Sequence, residues 1–216
     1  SIVTFQGNET AGDTVGHGLE KIPQMMILKN RNITGNGWIV YHQAIGATNF
    51  LFLQNTNAST PNANRFNNAT PTDFVFTLGA DANINDSGED IVAYCFAEIE
   101  GYSKFGSYTG SSRSVGQGTF VNLGFRPSFV MLRDIGGGEW GIFDSARNTF
   151  NVVNKRLGAE SDAIEYSGDT NRDMDFLSNG FKLMNAYPNG LIFDNSARSY
   201  IYMAFAEAPF KYANAR

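Results

Sequence analysis

Short apolar runs alternate with polar turn residues along the whole chain. The longest runs, residues 91–97 and 201–206, have the length of buried β-strands and contain branched and aromatic side chains. Clusters of Gly, Asn and Asp separate such runs, as at 32–37 and 136–138, and Gly and Asn tolerate the positive φ of tight turns. No stretch of ten or more residues keeps a helical period. The pattern therefore predicts an all-β protein.

The same pattern occurs twice. Residues 18–30 match residues 124–134, since both read as a turn, a proline and an apolar strand that ends in a cation. Four further matches follow the same order in both halves: 5–8 with 108–111, 38–42 with 140–144, 76–78 with 181–183, and 94–98 with 202–207. The sequence therefore predicts an internal duplication. We expect two related β units, residues 1–104 and 105–216, packed side by side or merged into one jelly-roll-like β-sandwich.

Composition and charge exclude several classes of protein. The single cysteine, Cys95, permits neither an intrachain disulfide nor a cysteine-based zinc cluster. A net charge of -5, with only 16 Lys and Arg scattered along the chain, argues against a nucleic-acid partner. The mean hydropathy is -0.25, and no apolar run approaches the roughly 18 residues of a spanning helix, so we expect no membrane insertion. The first residues, 1–5, contain neither an initiator Met nor the basic and apolar regions of a signal peptide. We therefore interpret the chain as part of a longer or processed protein.

Residues that often carry catalysis are few. The two histidines, His17 and His42, do not belong to a His-Glu-x-x-His motif, which argues against a zinc hydrolase. Cys95 lies in an apolar run, where a small buried side chain is the expected role rather than a nucleophile. We therefore predict that the protein is not an enzyme and needs no cofactor.

One pair of acids is an exception. Glu98 and Glu100 stand two positions apart, so in a strand both would point to one face, as the paired acids of β-sandwich glycosidases do. Glu98, however, has a counterpart in the second half, Glu207. An acid repeated at one strand end favours a structural role, such as accepting backbone N–H groups at a corner.

Two long polar stretches, 55–72 and 157–175, differ between the halves and are expected to be exposed loops where binding tends to be placed. In the second of them Asp169, Asn171 and Asp173 present oxygens at alternate positions, as calcium loops do. The turn glycine and the final bidentate glutamate of an EF-hand loop are missing. A solvated acidic loop is the simpler interpretation, and a bound metal cation is the alternative.

Several aromatic residues are candidates for a ligand-binding surface. Tyr102, Phe105 and Tyr108 lie among Ser and Gly between the two halves, and Tyr187 stands close to Asn189. Aromatic rings stack on sugar rings, while Asn and Asp side chains hydrogen-bond to sugar hydroxyls. We therefore consider Tyr102, Tyr108, Tyr187 and Asn189 as candidate glycan-binding residues.

Two segments carry a family resemblance. Residues 96–110 and 202–216, together with the shorter stretches 124–127 and 144–147, are similar to the repeated domain near the C-terminus of structural proteins of tailed bacteriophages, especially marine and cyanobacterial ones. The resemblance implies a virion protein on the exposed exterior of the particle, a tail fibre or another structural component, with other virion proteins as partners. It transfers no activity and no binding residues.

Three functions follow as hypotheses. The first is a tail-fibre or adhesion domain that binds a host surface glycan through its loops. The second is a capsid decoration or head-fibre protein that binds no sugar, and the third is a depolymerase that cuts host polysaccharide. The analogy with fibres further predicts a homo-oligomer, with a trimer as the expected form.

Overall fold

The computed structural model describes residues 1–114, 116–167, 173–184 and 193–208, which are almost entirely strands and turns. The strands are β1 Ile2–Gln6, β2 Thr14–Gly16, β3 Met25–Asn30, β4 Ile39–His42, β5 Asn49–Phe52, β6 Thr60–Pro61, β7 Val75–Thr77, β8 Asp90–Phe96, β9 Ser103–Thr109, β10 Phe120–Asn122, β11 Pro127–Asp134, β12 Trp140–Asp144, β13 Met174–Leu177, β14 Gly180–Leu183 and β15 Ser199–Ala206. The described helices are α1 Ala63–Phe66, α2 Ala82–Asn85 and one 3₁₀ turn, Gln43–Ile45. The predicted all-β class is confirmed.

The chain divides into two compact units, Ser1–Ala97 and Glu98–Arg216, here called unit 1 and unit 2. The division falls a few residues before the boundary expected at 104/105. All of β9 therefore belongs to unit 2. Each unit is described below by itself.

Unit 1 is built on a six-stranded antiparallel sheet of order β1-β8-β3-β4-β5-β6, with a second sheet made of β2 and β7. Alternate residues of β8 are buried, as expected for a strand with one face on a core. One apolar cluster joins the two sheets: Leu28 and Ala93 of the large sheet are fully buried with Phe76 of the small one. This packing is consistent with a β-sandwich.

Unit 2 has the same plan. A four-stranded sheet of order β12-β11-β15-β9 and a three-stranded sheet of order β10-β14-β13 contribute to one cluster. Leu132 and Tyr200 come from the first sheet, and Phe176 and Phe181 come from the second. Unit 2 is therefore also consistent with a sandwich.

Strand order and register correspond in the two units. In unit 1, β1 pairs with β8, β8 with β3, and β3 with β4. In unit 2, β9 pairs with β15, β15 with β11, and β11 with β12. Residues that correspond between the units also pair with corresponding partners. The pairs in unit 1 are Gln6 with Asp90, Met25 with Phe96 and Met25 with His42. The corresponding pairs in unit 2 are Thr109 with Ser199, Phe129 with Phe205 and Phe129 with Asp144. Shared origin of the two units by duplication stays a prediction.

A buried polar side chain follows the same correspondence. The backbone N–H of Asn8 donates to Oδ1 of Asn85 at 3.0 Å in unit 1. In unit 2, the backbone N–H of Ser111 donates to Oδ1 of Asp194 at 2.8 Å. Both acceptor side chains are almost fully buried. Asn85 of α2 and Asp194 before β15 therefore each fix the chain just after the first strand of its unit.

The stretch 55–72 is not only an exposed loop. It contains α1, whose Arg65 and Phe66 are buried. Arg65 pairs with Asp81 at 2.5 Å, and its guanidinium carbon lies 4.4 Å from the ring centre of Phe50. A helix of four residues is too short to leave a periodic pattern in the sequence. The carboxylate of Asp81 and the ring of Phe50 together compensate the cost of burying the Arg65 cation.

Candidate functional site

A cleft of about 300 Å³ opens in unit 2 beside the start of β9. Its lining residues are Glu98, Glu100, Gly101, Ser103, Lys104, Leu123, Gly124, Phe125 and Ala208. The two glutamates are exposed, whereas Leu123 and Phe125 are buried, so the cleft has acidic edges and an apolar base.

A tight turn positions the acidic edge. The N–H groups of Tyr102 and Ser103 both donate to the carbonyl of Ile99, at 3.0 and 2.9 Å, and the N–H of Ile99 donates to Oγ of Ser103 at 3.1 Å. Gly101 has a φ of 73°, which a glycine adopts without strain. The turn therefore holds the backbone on which Glu98 and Glu100 stand.

The charged groups of the cleft have few internal partners. Oε2 of Glu98 lies 3.5 Å from the N–H of Phe105, at the outer limit of a hydrogen bond. Nζ of Lys104 donates to the carbonyl of Asn122 at 3.2 Å. Burial, with a further contribution from the charge of Glu98, raises the pKa of Tyr202 to about 12. The arrangement offers carboxylate oxygens that accept hydrogen bonds from hydroxyl or ammonium groups.

The structure places the candidate aromatic residues differently from one another. Tyr102 is 36% exposed, and its ring lies edge-on to Phe205 at 5.7 Å. Phe105 is buried. The ring of Tyr108 stacks on Tyr200 at 5.1 Å, and its hydroxyl donates to a backbone carbonyl at 2.8 Å. The expected surface position is therefore wrong for Phe105 and Tyr108, which pack inward, and only Tyr102 keeps an exposed ring.

The structure describes one of the remaining candidate residues, Asp173. Tyr187, Asn189, Asp169 and Asn171 lie outside the described residues. Asp173 lies just before β13, where its carbonyl accepts the N–H of Met184 at 2.9 Å. Within the described ranges, no group of three or more His, Cys, Asp and Glu side chains is placed to hold a metal ion.

The histidines and the cysteine are buried in unit 1. Nδ1 of His17 accepts the N–H of Leu19 at 3.2 Å, and its Nε2 lies 3.1 Å from the carbonyl of Thr72, an arrangement that fits the Nε2–H tautomer. Burial raises the pKa of the Cys95 thiol to about 11. A thiol that stays protonated at neutral pH is a poor nucleophile, in line with the buried role expected from its apolar neighbours.

Sequence reasoning missed part of the cleft. Lys104, Leu123 and Phe125 were not predicted as site residues, although they line it together with the glutamates. Lys104 comes from β9, whereas Leu123 and Phe125 come from the segment between β10 and β11. No spacing in the sequence indicates that these two parts of the chain meet. The pair Glu98 and Glu100 was the one usable sign.

The comparisons with known proteins give a family and no relatives. Residues 1–209 match the family model described as a domain of unknown function, DUF7483. Comparisons with curated proteins and with solved structures return no match. Among the helices of the described residues, none has the length and apolar character needed to cross a membrane.

Proposed function

The chain belongs to the DUF7483 family, and we propose, from the resemblance of its own residues to a phage domain, that it is a structural protein on the exterior of a bacteriophage virion. The proposal is supported by the residues that resemble the phage domain. In their described part, these two segments form β9 and β15, which pair with Gly106 opposite Tyr202. Both segments also line the cleft, one through Glu98 to Lys104 and the other through Ala208.

The cleft carries the more specific proposal, a tail-fibre or adhesion domain that binds a host surface glycan. Sugar hydroxyls donate hydrogen bonds to carboxylates such as those of Glu98 and Glu100, while the C–H face of a sugar ring packs on apolar side chains such as Phe125. Concave sites with an apolar base and a few polar groups are the usual form of small-ligand sites. Tyr102 adds an exposed ring on the same turn.

Location on the particle tests the role. Electron cryomicroscopy of intact particles, with the chain labelled by a specific antibody fragment, is expected to place it on the tail or its fibres. Density at capsid three-fold or quasi-three-fold sites would instead favour the decoration or head-fibre protein. A particle that lacks the chain altogether would contradict both forms of the proposal.

A depolymerase is the second candidate, because Glu98 and Glu100 line one cleft. Purified protein incubated with host envelope polysaccharide would then release oligosaccharides, and Glu98→Gln and Glu100→Gln would abolish the release. Binding without release is the result expected for an adhesion domain.

Assembly is proposed from the fibre analogy alone. We expect a homo-oligomer, with three copies as the preferred form. Mass measurement in solution tests it, and a monomer that stays single at high concentration would contradict it.

A further inference from the structure

We propose that the cleft in unit 2 selects ligands that carry a protonated amino group on a sugar ring. The inference rests on the glycan-binding function proposed above and specifies its ligand class. It starts from the charges around the cleft, which are not balanced. Among the described residues that line it are two carboxylates and one ammonium group.

The two carboxylates have no ion-pair partner among the described residues. Within the part of the chain that the structure describes, neither Glu98 nor Glu100 forms an ion pair. Lys104 directs its Nζ to the carbonyl of Asn122, so one of its N–H donors is already used. Carboxylates in a cleft with apolar walls raise the local concentration of cations. A cationic group of a ligand can therefore form the ion pair with Glu98 or Glu100 that no described side chain forms.

The apolar base argues for a ring rather than a bare ion. Leu123 and Phe125 line the cleft and are largely buried, and a metal ion would gain nothing from them. Calcium takes six to eight oxygen ligands, whereas two exposed glutamates offer few. A volume of about 300 Å³ lies at the lower end of ligand sites, a size that suits one or two sugar rings.

Anionic sugars fit the lining less well. Among the described lining residues, Lys104 carries the one positive charge, and Glu98 and Glu100 carry two negative charges. The whole chain is also acidic, with a net charge of -5. A carboxylated or sulfated sugar would meet like charge at the edge of the cleft.

The experiment is a titration followed by two-dimensional NMR of the whole chain. Glucosamine is the probe, and glucose and N-acetylglucosamine are the uncharged comparisons. We expect glucosamine to bind with a dissociation constant of about millimolar size, roughly threefold to tenfold more tightly than glucose, with shifts at residues 98–104 and 123–125. Added salt should reduce the difference in affinity between glucosamine and glucose, because ions screen the exposed contact between the ammonium group and the carboxylates.

Three variants separate this cleft from a general effect of charge. Glu98→Gln and Glu100→Gln should each weaken glucosamine binding by about threefold and leave glucose unchanged. Lys104→Gln should strengthen glucosamine binding, because it removes a repulsion. Glu20→Gln is the matched control: it removes one exposed carboxylate from unit 1 and should change nothing.

Equal affinity for glucosamine and glucose would overturn the inference while leaving glycan binding intact. No binding of any probe, or an unchanged affinity in the two glutamate variants, would overturn it as well. The virion role stands or falls separately on the location of the chain in the particle.

Discussion

At the scale of single residues, Asp194 is a buried carboxylate of unit 2 with four hydrogen-bond donors. It is 2% exposed and accepts the N–H and Oγ–H of Ser111 at 2.8 and 2.9 Å, and the N–H and Oγ1–H of Thr119 at 3.1 and 2.5 Å. The four donors satisfy the buried carboxylate of Asp194. Removal of this carboxylate would leave all four donors without an acceptor.

Replacement of this side chain by alanine should therefore be costly. We expect Asp194→Ala to lower the free energy of unfolding by about 3 kcal/mol, because buried donors are left without acceptors. Denaturant unfolding measures the change. Asp162→Ala, at an exposed position of the same unit, is the control and should stay within about 0.5 kcal/mol. Equal effects of the two variants would contradict the assignment.

The raised pKa of Cys95 gives a chemical prediction. The folded thiol holds its proton up to about pH 11, while an unfolded thiol releases it near the ordinary value of 9.0. Its contribution to stability is therefore complete below pH 9 and is lost as the pH rises towards 11. At pH 8, iodoacetamide should modify the native protein at least about tenfold more slowly than the protein in denaturant. Similar rates in both states would show that the thiol is accessible.

At the scale of elements, each unit closes its first strand against a loop at a glycine. A Cβ on Gly7 would lie 2.2 Å from the carbonyl oxygen of Asp86, and one on Gly110 would lie 2.3 Å from that of Asn195. Backbone atoms cannot move away as a flexible side chain does. These glycines therefore allow the chain to approach the end of α2, which carries Asn85, and the segment that carries Asp194.

Alanine at these two positions should strain both units alike. We expect Gly7→Ala and Gly110→Ala each to destabilise the protein by about 3 kcal/mol, since backbone has to shift. Gly35→Ala is the control, because a Cβ there meets nothing within 4 Å. Thermal unfolding compares the three variants. Loss of stability in Gly35→Ala alone would refute the close approach.

The elements also show what a sequence can and cannot predict. The apolar runs predicted the central strands β3, β8, β11 and β15, because a strand in the middle of a buried sheet carries many apolar side chains. The burial of Phe105 escaped, because an aromatic residue among Ser and Gly has no pattern of its own and its face is set by β15. The cleft escaped for a related reason: Lys104 and Phe125 meet only through the fold.

At the scale of the whole molecule, each unit contains its own core. The cluster with Leu28 and Phe76 uses only residues of unit 1, and the cluster with Leu132 and Phe181 uses only residues of unit 2. A core that is complete within a unit predicts independent folding. A fragment of residues 1–97 should unfold cooperatively, as followed by near-ultraviolet circular dichroism. A gradual transition would contradict it.

The matching registers of the two units have a kinetic consequence. While the chain folds, β8 and β15 each present a ladder on which either β1 or β9 meets the same spacing of partners. Repeated domains are prone to such exchange, and an exchanged strand has to detach before the correct one enters. We therefore expect refolding of the full chain to contain a slow phase that the fragment 1–97 lacks, visible by stopped-flow fluorescence at equal denaturant. The shared register of the two units would then slow their formation.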